Sequence, residues 1–403
     1  MKNIKVKTIL TRTMLIFILQ SCGGGSSNEP SIEIPESGTN PPLLTEPALY
    51  KTPVGSNYLP LPQHSPEFDQ NQYQTMRNEI YFISNRGNYQ GDGDKDSMYM
   101  HSGLDIYMVN GTPIYVIADG IVGKTDRRTD GFKSVLIEDS LNQDSGWDYV
   151  HIDEFYVTEG DPVFQGQLLG VSKFNGTEHM HLARVSRIEN NSWDQGYYAE
   201  YPDKYFDFID QQAPVLSDEI YFMANQTDTI LSINDENAIS GEVDIVVGIR
   251  DLGKYATHPD VYYLAARVIP VKLGFEIESE AGDVVMSSQF DFQSMVITKS
   301  NSQSSFGNEQ ARNLYKSPNL FLNQPWYEIG NSYIVLTHLQ KTSSDTSFPI
   351  IFDDSFDSLN WNTSTYNNDG SPQFPNGRYK ITVYAEDSRA NKVIKEYWVD
   401  VLN

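Results

Sequence analysis

Four of the seven histidines of this 403-residue chain fall within one stretch of 81 residues. They are His101, His151, His179 and His181. Asp105 follows the first of them by four positions. Histidine and aspartate are zinc ligands, and three such ligands leave the fourth position of a tetrahedral ion for water, as in catalytic sites. The only cysteine, Cys22, excludes sites built from several cysteines. The stretch therefore predicts a zinc site made of histidine and aspartate.

The spacing of these residues indicates how they would meet. In a β-strand alternate side chains share a face, so we expect His101 and Asp105 to point the same way. By the same rule His179 and His181 project together, while Met180 between them faces the core. Two such strands would place one carboxylate and three imidazoles around one point.

The elements that carry these residues are predicted to be strands. Short runs of valine, isoleucine and tyrosine alternate with glycine between about residues 70 and 205, and no apolar pattern at helical spacing lasts three turns. In the second half Tyr379, Ile381 and Val383 alternate with more polar residues. The fold class is therefore all-β, with antiparallel sheet over 70–208 and a β-sandwich over 215–403. The serine- and asparagine-rich stretch 299–330 is predicted to be a long loop.

Composition excludes several classes of protein. The chain has 54 acidic and 29 basic residues and a formal net charge of −25, so it lacks the basic surface that nucleic-acid binding requires. With 39% hydrophobic and 21% charged residues it is neither wholly disordered nor a multispanning membrane protein.

The N-terminus predicts export and anchoring. Residues 1–21 have a basic start and a short apolar run, as in a signal peptide. Their end, Leu19 to Cys22, resembles the lipobox of bacterial lipoproteins, which implies lipidation of Cys22. Residues 22–69 are rich in glycine, serine and proline, the composition of a tether. Gly23 after the cysteine resembles lipoproteins sent to a Gram-negative outer membrane, so we expect a lipoprotein of the cell envelope.

Further motifs surround the histidines in a fixed order. They are His101–Ile106, Gly111–Tyr115, Ala118–Val122, Tyr149–Ile152, Gly160–Val163, Gly166–Gly170 and His179–His181. Together these segments resemble the lysostaphin/LytM family of zinc metallo-endopeptidases, over about 100 residues. The resemblance implies a LytM-type peptidase domain over 70–208 that cleaves peptide bonds in the stem peptides or cross-links of peptidoglycan.

The resemblance also implies roles for single residues. His101, Asp105 and His181 are expected to bind zinc, and His151 and His179 to flank it. We assign His179 as the base and His151 as the group that stabilises the oxyanion, although the reverse assignment stays open. Glu178 and the pair Leu182 and Ala183 depart from the family pattern, and we expect them to affect substrate preference.

The second half leaves more than one function open. Asn376 to Tyr379, followed by Ala385 to Ser388, resembles the last hairpin of immunoglobulin-like bacterial modules. Such a module can bind the wall, dock an envelope protein, cover the zinc cleft or act as a spacer. For the whole chain we expect a lipid-anchored zinc endopeptidase. The alternative is a non-catalytic LytM-type regulator or scaffold that binds the wall or activates another hydrolase.

Overall fold

The computed structural model describes residues 82–403 with gaps. The gaps are residues 86, 88, 91–98, 108–109, 127–132, 174–178, 188–191, 194–196, 201, 206–209, 252–267, 294–296, 300–310, 325–329 and 340–358. Every described residue lies in one unit of the chain, Asn40–Asn403. The predicted signal peptide, Cys22 and the tether lie outside the described residues.

Strands dominate the described residues, as the sequence predicts. The strands of the first half are β1 Phe82–Ser84, β2 Tyr89–Gln90, β3 Tyr99–Met100, β4 Leu104–Tyr107, β5 Pro113–Tyr115, β6 Gly120–Asp126, β7 Ser134–Asp139, β8 Ser145–Val150, β9 Ile152–Phe155, β10 Pro162–Val163, β11 Leu168–Ser172, β12 His179–Arg187 and β13 Tyr197–Glu200. Those of the second half are β14 Val215–Ala224, β15 Ile230–Ile233, β16 Glu242–Arg250, β17 Lys272–Ser279, β18 Val284–Asp291, β19 Ile297–Lys299, β20 Tyr315–Lys316, β21 Ser332–Val335, β22 Trp361–Asn362, β23 Gly377–Glu386 and β24 Lys392–Val401. Within the described residues, 3₁₀ helices span Pro202–Tyr205, Pro318–Leu320 and Leu336–Leu339.

The first half is built on a nine-stranded sheet with the order β1-β4-β12-β8-β7-β6-β10, to which β13 and β19 are joined beside β12. A smaller sheet has the order β5-β11-β9. Apolar residues from both sheets, among them Met180, Tyr149 and Leu169, share one buried core. All the strand pairs of these two sheets are antiparallel.

Strand β12 is the centre of the larger sheet. It pairs with β4, β8 and β13. Arg184 near its middle donates two hydrogen bonds to Asp139 of β7, at 2.8 and 2.5 Å. The same guanidinium lies 5.2 Å from the centre of the Trp147 ring. A bidentate contact of this kind fixes the orientation of Arg184 as well as its distance from Asp139. Together with the contact to Trp147 it holds β12 rigidly against its neighbours, and so helps to position the side chains at the start of β12.

The second half consists of two antiparallel sheets around one core. The orders are β15-β14-β16-β21-β20, with β22 beside β16, and β18-β17-β23-β24. The predicted alternation of β23 is confirmed, since Tyr379, Ile381 and Val383 are buried and the residues between them are half-buried. Both sheets contribute to the shared core, which makes this half a β-sandwich. The immunoglobulin-like character of its last hairpin stays a prediction.

The structure places the ends of several strands inside longer apolar runs. β17 begins at Lys272, although the apolar run starts at Val268, and β21 ends at Val335, where a 3₁₀ helix takes over. The stretch 299–330, expected to be loop, contains the short strand β20 and a 3₁₀ helix capped by Ser317. Runs of apolar residues alone cannot fix such ends, because tertiary contacts decide where pairing stops.

Among the residues that the structure describes, no helix is both long and apolar enough to span a bilayer.

Candidate metal centre

The pairing of β4 with β12 brings two of the predicted ligands together. In the antiparallel register His181 lies directly opposite Asp105, and Leu182 lies opposite Leu104. His179 and His181 share a face of β12, and Met180 between them is fully buried in the core, as predicted. Side chains of directly opposed residues on neighbouring strands lie within contact distance of each other. The pairing register of β4 and β12 is therefore enough to place the Asp105 carboxylate beside the His181 imidazole.

His101 joins this pair from a loop. Its Nε2 lies 3.0 Å from Asp105 Oδ1 and 2.9 Å from His181 Nδ1, and the latter two atoms are 3.0 Å apart. The three atoms therefore form a nearly equilateral triangle. His101 and Asp105 are buried, while His181 is half-buried at the edge of the site.

The hydrogen bonds of His101 show what such a triangle requires. Its Nδ1 lies 2.9 Å from the carbonyl oxygen of Asn85, which can only accept, so Nδ1 carries the hydrogen. In a neutral ring Nε2 then carries only a lone pair, and it faces a carboxylate oxygen of Asp105. Two buried acceptors at this distance repel each other, so either a second proton on the imidazole or a metal cation must lie between them. The donor set of two imidazoles and one carboxylate fits zinc.

Asp105 is held as a carboxylate. Burial alone would raise its pKa, but the charges of His101 and His179 and the hydrogen bonds from His101 and His181 outweigh burial. The net result is a pKa well below its ordinary value of 3.8. The aspartate is therefore ionised at neutral pH and available as a ligand.

Two more histidines lie beside the triangle. His179 Nε2 is 3.6 Å from Asp105 Oδ1, and the His179 ring packs edge-on against His151 with their centres 4.7 Å apart. The His151 ring centre is 6.4 Å from that of His181. Both flanking rings are largely buried, at 6% and 7% exposure. They can move a proton, or donate a hydrogen bond, next to an ion at the triangle.

The backbone of His151 has an unusual conformation. Its φ angle is 67°, a left-handed value that is uncommon for a residue other than glycine. The residue interrupts the run from β8 to β9, and its carbonyl accepts a hydrogen bond of 2.8 Å from the Lys173 amide. The turn aims the ring of His151 toward His179 instead of along the sheet. Strain of this kind persists where the surrounding structure enforces it, often at functional sites.

Gly103 makes room for the ligands. A Cβ at this position would lie 2.5 Å from the Leu182 carbonyl oxygen and 2.7 Å from His181 Nε2. Real Cβ atoms do not approach other atoms this closely, so any larger residue would displace β12 or the ring of His181. The glycine between the first two ligands is thus a requirement of close packing.

The structure brings all five predicted site residues together, with one correction to their setting. His101 and Asp105 do not lie on one strand, because β3 ends at Met100 and β4 begins at Leu104. Strands β3 and β4 belong to different sheets, so residues 101–103 cross from one sheet to the other. The ring and the carboxylate converge through this crossing and not through strand alternation.

Sequence reasoning missed the groups that orient His101. Ser84 Oγ and the Asn85 carbonyl both lie within 3.0 Å of its Nδ1. A serine at the end of a strand or an asparagine just after it gives no pattern in a single sequence. Of the noted departures from the family pattern, Glu178 lies outside the described residues, while Leu182 and Ala183 are fully buried in the sheet. Those two residues therefore do not line an open groove.

A second group of carboxylates, formed by Asp210, Asp251 and Asp387, lies away from these histidines. Asp387 accepts hydrogen bonds from the amides of Arg389 and Asn391 in the turn before β24. The Asn391 side chain also donates to the carbonyl of Asp210. These bonds tie the segment at 210 to the last hairpin of the sandwich, which gives Asp210 and Asp387 a structural role.

An all-β scaffold that holds a His-Asp-His donor set with two more histidines beside it is suited to metal-dependent hydrolysis. Residues 99–194 match the family model described as Peptidase family M23. The glycyl-glycine endopeptidase ALE-1 of Staphylococcus capitis is 31% identical over 99 residues, which are 24% of this chain. Residues 99–194 therefore match a peptidase family M23 domain, and a stretch of 99 residues of this chain is homologous to a glycyl-glycine endopeptidase. The match spans 27% of the length of ALE-1.

Several solved structures are similar over about a third of the chain or less. The catalytic domain of the antimicrobial peptidase lysostaphin from Staphylococcus simulans is 22% identical, with 32% of this chain and 93% of that chain covered and a TM-score of 0.26. A zinc containing peptidase from Vibrio cholerae is 21% identical, with 28% and 36% covered and a TM-score of 0.25. LytU is 26% identical, with 30% and 80% covered and a TM-score of 0.25.

Proposed function

We propose that this chain is a zinc-dependent endopeptidase that hydrolyses peptide bonds in the stem peptides or cross-links of peptidoglycan. The observation that carries the proposal is the triangle of His101, Asp105 and His181, whose donor atoms lie about 3 Å apart with two further histidines beside them. The homology to a glycyl-glycine endopeptidase supports peptide bonds as the substrate class.

In the proposed reaction, His101, Asp105 and His181 would hold a zinc ion, which would supply a Lewis acid and lower the pKa of a nearby water. His179 takes the proton of the attacking water and returns it to the leaving amine nitrogen as the C–N bond breaks. His151 donates a hydrogen bond to the oxyanion of the tetrahedral intermediate. Asp105 stays ionised throughout, because its low pKa keeps protons away from it.

The positions of the two flanking histidines fit His179 as the base and His151 as the oxyanion donor. The ring of His179 is within 3.6 Å of Asp105 Oδ1, and so lies at the triangle itself. His151 is one ring farther out and is fixed by its turn. A base must reach the water, whereas an oxyanion donor must be aimed in advance at the place where charge develops.

The test is mass analysis of muropeptides after purified peptidoglycan is incubated with residues 23–403. Zinc-loaded protein should release new peptide ends, and His181→Ala should release none, since it removes one ligand from the triangle. A pentaglycine peptide is the second substrate, because the relative from Staphylococcus capitis is a glycyl-glycine endopeptidase.

The outcomes separate the two functions that the sequence left open. Cleavage of stem peptides or of pentaglycine identifies the bond. Stoichiometric zinc without cleavage of either substrate would overturn the enzyme in favour of the regulator or scaffold.

We further propose that Cys22 carries a lipid that holds the peptidase at the cell envelope, in the outer membrane of a Gram-negative bacterium. The support is the basic and apolar segment before Cys22 and the glycine- and proline-rich tether after it. An anchor confines the enzyme near the wall and raises its effective concentration there. Confinement matters for this chain, because its net charge of −25 gives no attraction to an anionic wall.

A further inference from the structure

We infer that the C-terminal sandwich is part of the support of the metal centre, and that it positions the ligand His101 through Asn85 and Tyr315. The inference rests on the proposed zinc site. It assigns a role to the second half of the chain that differs from a spacer, a wall-binding module or a cover over the cleft.

Asn85 connects the ligand to the sandwich. Its carbonyl oxygen accepts the Nδ1 hydrogen of His101 at 2.9 Å. Its side-chain Nδ2 donates to the carbonyl of Ile269 at 2.8 Å, and its Oδ1 accepts from the amide of Ile269 at 3.0 Å. Asn85 is 1% exposed, so water cannot replace these bonds. One residue therefore joins the ring of His101 to the backbone just before β17.

Gly87 forms a second connection. Its amide donates to the carbonyl oxygen of His101 at 2.9 Å, and its own carbonyl accepts the hydroxyl of Tyr315 at 2.7 Å. Tyr315 lies in β20 of the sandwich and is 1% exposed. Asn85 thus holds the ring of His101, and Gly87 holds its backbone. Both of these loop residues are in turn hydrogen-bonded to the second half of the chain.

Apolar packing acts in the same place. Met100, the residue before His101, is buried in the core of the sandwich. Val268, the residue before Ile269, is buried in the core of the peptidase half. Strand β19 also pairs with β13 and so extends the sheet that contains β12. The two halves therefore exchange buried side chains next to His101 and Ile269, and β19 adds a strand contact farther along the same sheet, which a spacer domain would not do.

The chemical reason is the orientation of a metal ligand. A histidine that binds a metal needs its other nitrogen bonded to a fixed acceptor, which sets the tautomer and the ring plane. Here the acceptor is the Asn85 carbonyl, whose position depends on Ile269. Loss of an outer partner of this kind lowers metal affinity about 10-fold to 100-fold. Asn85 and Tyr315 are therefore positioning residues, since neither belongs to the triangle.

The test compares full-chain variants that remove one connection each. Tyr315→Phe removes the hydroxyl and keeps the ring, and Asn85→Ala removes both bonds to Ile269. The matched control is Tyr397→Phe, because the Tyr397 hydroxyl also donates to a backbone carbonyl, that of Ser217, at 2.7 Å from a buried position in the sandwich. Zinc affinity is measured by competition with a chelator, and the Co²⁺-loaded protein reports ligand geometry through its visible spectrum.

We expect both positioning variants to bind zinc about 10-fold to 100-fold more weakly and to show an altered Co²⁺ spectrum. Tyr397→Phe should keep the native affinity and spectrum even if its thermal unfolding temperature falls. If Asn85→Ala does not fold, Tyr315→Phe decides alone. Affinity within twofold of native and an unchanged spectrum in Tyr315→Phe would overturn the inference.

The same measurements keep this inference apart from the proposed function. A native chain that binds zinc but cleaves no peptide would overturn the proposed endopeptidase activity. The positioning role would then be judged from the zinc affinities and Co²⁺ spectra of the variants alone. A native chain that cleaves peptidoglycan while both variants keep native affinity would overturn the positioning role alone. A native chain that binds no zinc would overturn both.

Discussion

At the scale of single residues, the two flanking histidines carry the acid-base chemistry of the proposed reaction. His179 is within 3.6 Å of Asp105 Oδ1, whereas His151 contacts His179 and is held in a left-handed turn. Their geometry supports His179 as the base and His151 as the oxyanion donor. The exchange of these roles, which the sequence leaves open, is a matter for kinetics.

We predict that His179→Ala and His151→Ala each keep zinc and each lose at least about 100-fold in kcat/KM. The two variants should differ in their pH profiles. Loss of the base removes the acidic limb of the kcat/KM profile, whereas loss of an oxyanion donor lowers the whole profile and keeps its shape. The measurement is cleavage of a peptide substrate between pH 5 and 9, with zinc content as the control. If the acidic limb of the kcat/KM profile is missing in His151→Ala instead, His151 is the base and His179 is the oxyanion donor.

At the scale of elements, the site depends on how closely β12 approaches the loop before β4. Gly103 is the contact point, because a Cβ there would lie 2.5 Å from the Leu182 carbonyl and 2.7 Å from His181 Nε2. The backbone of β12 cannot yield easily, since Arg184 and three neighbouring strands hold it. The ring of His181 must therefore move.

Gly103→Ala should lower zinc affinity about 10-fold or more and destabilise the protein by about 1–3 kcal/mol, as overpacking usually does. The control is Gly123→Ala in β6, where the new Cβ would meet only the side chain of Glu138. A shift of that side chain strains its hydrogen bonds from Arg187 and Trp193 but moves no residue of the triangle, so this control should lose some stability and keep native zinc affinity. Isothermal titration with zinc and urea unfolding measure the two effects. Native affinity in Gly103→Ala would show that the loop, not the ring, gives way.

At the scale of the whole molecule, ion pairs link the strands of the sandwich that supports the site. Glu386 of β23 accepts a hydrogen bond of 2.9 Å from Lys272 of β17, and its second oxygen lies 2.8 Å from Lys392 of β24. The hydrogen bonds from Lys392 and Lys272 lower the pKa of Glu386 below its ordinary value of 4.5. One carboxylate thus bridges three strands.

The linkage has a defined sign. Since the pKa of Glu386 is lower in the folded state, its contribution to stability is complete above about pH 4.5 and is lost as pH falls through the lowered value. Glu386→Gln should therefore reduce the free energy of unfolding by up to about 1 kcal/mol at pH 7, as for a partly exposed ion pair, and by nothing at pH 2. Urea unfolding at a series of pH values measures the difference. Glu236→Gln, at an exposed turn position, is the control and should show no such dependence.

The proposed anchor is also a property of the whole molecule. We predict that the full-length chain sediments with membranes and that Cys22→Ser is released to the soluble fraction, because a single thiol is the proposed site of lipid attachment. Fractionation with mass analysis of the mature N-terminus makes the measurement. The control is Ser21→Thr, which keeps Cys22. A Cys22→Ser chain that stays with the membrane would place the attachment elsewhere.

The sequence alone predicted the residues that could bind a metal and the all-β fold class. The His-x-His spacing put two imidazoles on one face of β12, and strand alternation buried Met180 and the inward residues of β23. Period-two patterns report which side chains share a face, and this is local information. The types of the five site residues and the resemblance of their motifs were therefore enough to name them.

Only the tertiary structure decided how these residues meet. His101 reaches Asp105 across a change of sheet between β3 and β4, and not along one strand. Its partner Asn85 is bonded to Ile269, 184 positions away, and Tyr315 is 228 positions from Gly87. Contacts between residues so distant in the chain have no local signature, because they depend on how two cores pack together. The sequence thus named the donors, and long-range packing set their orientation.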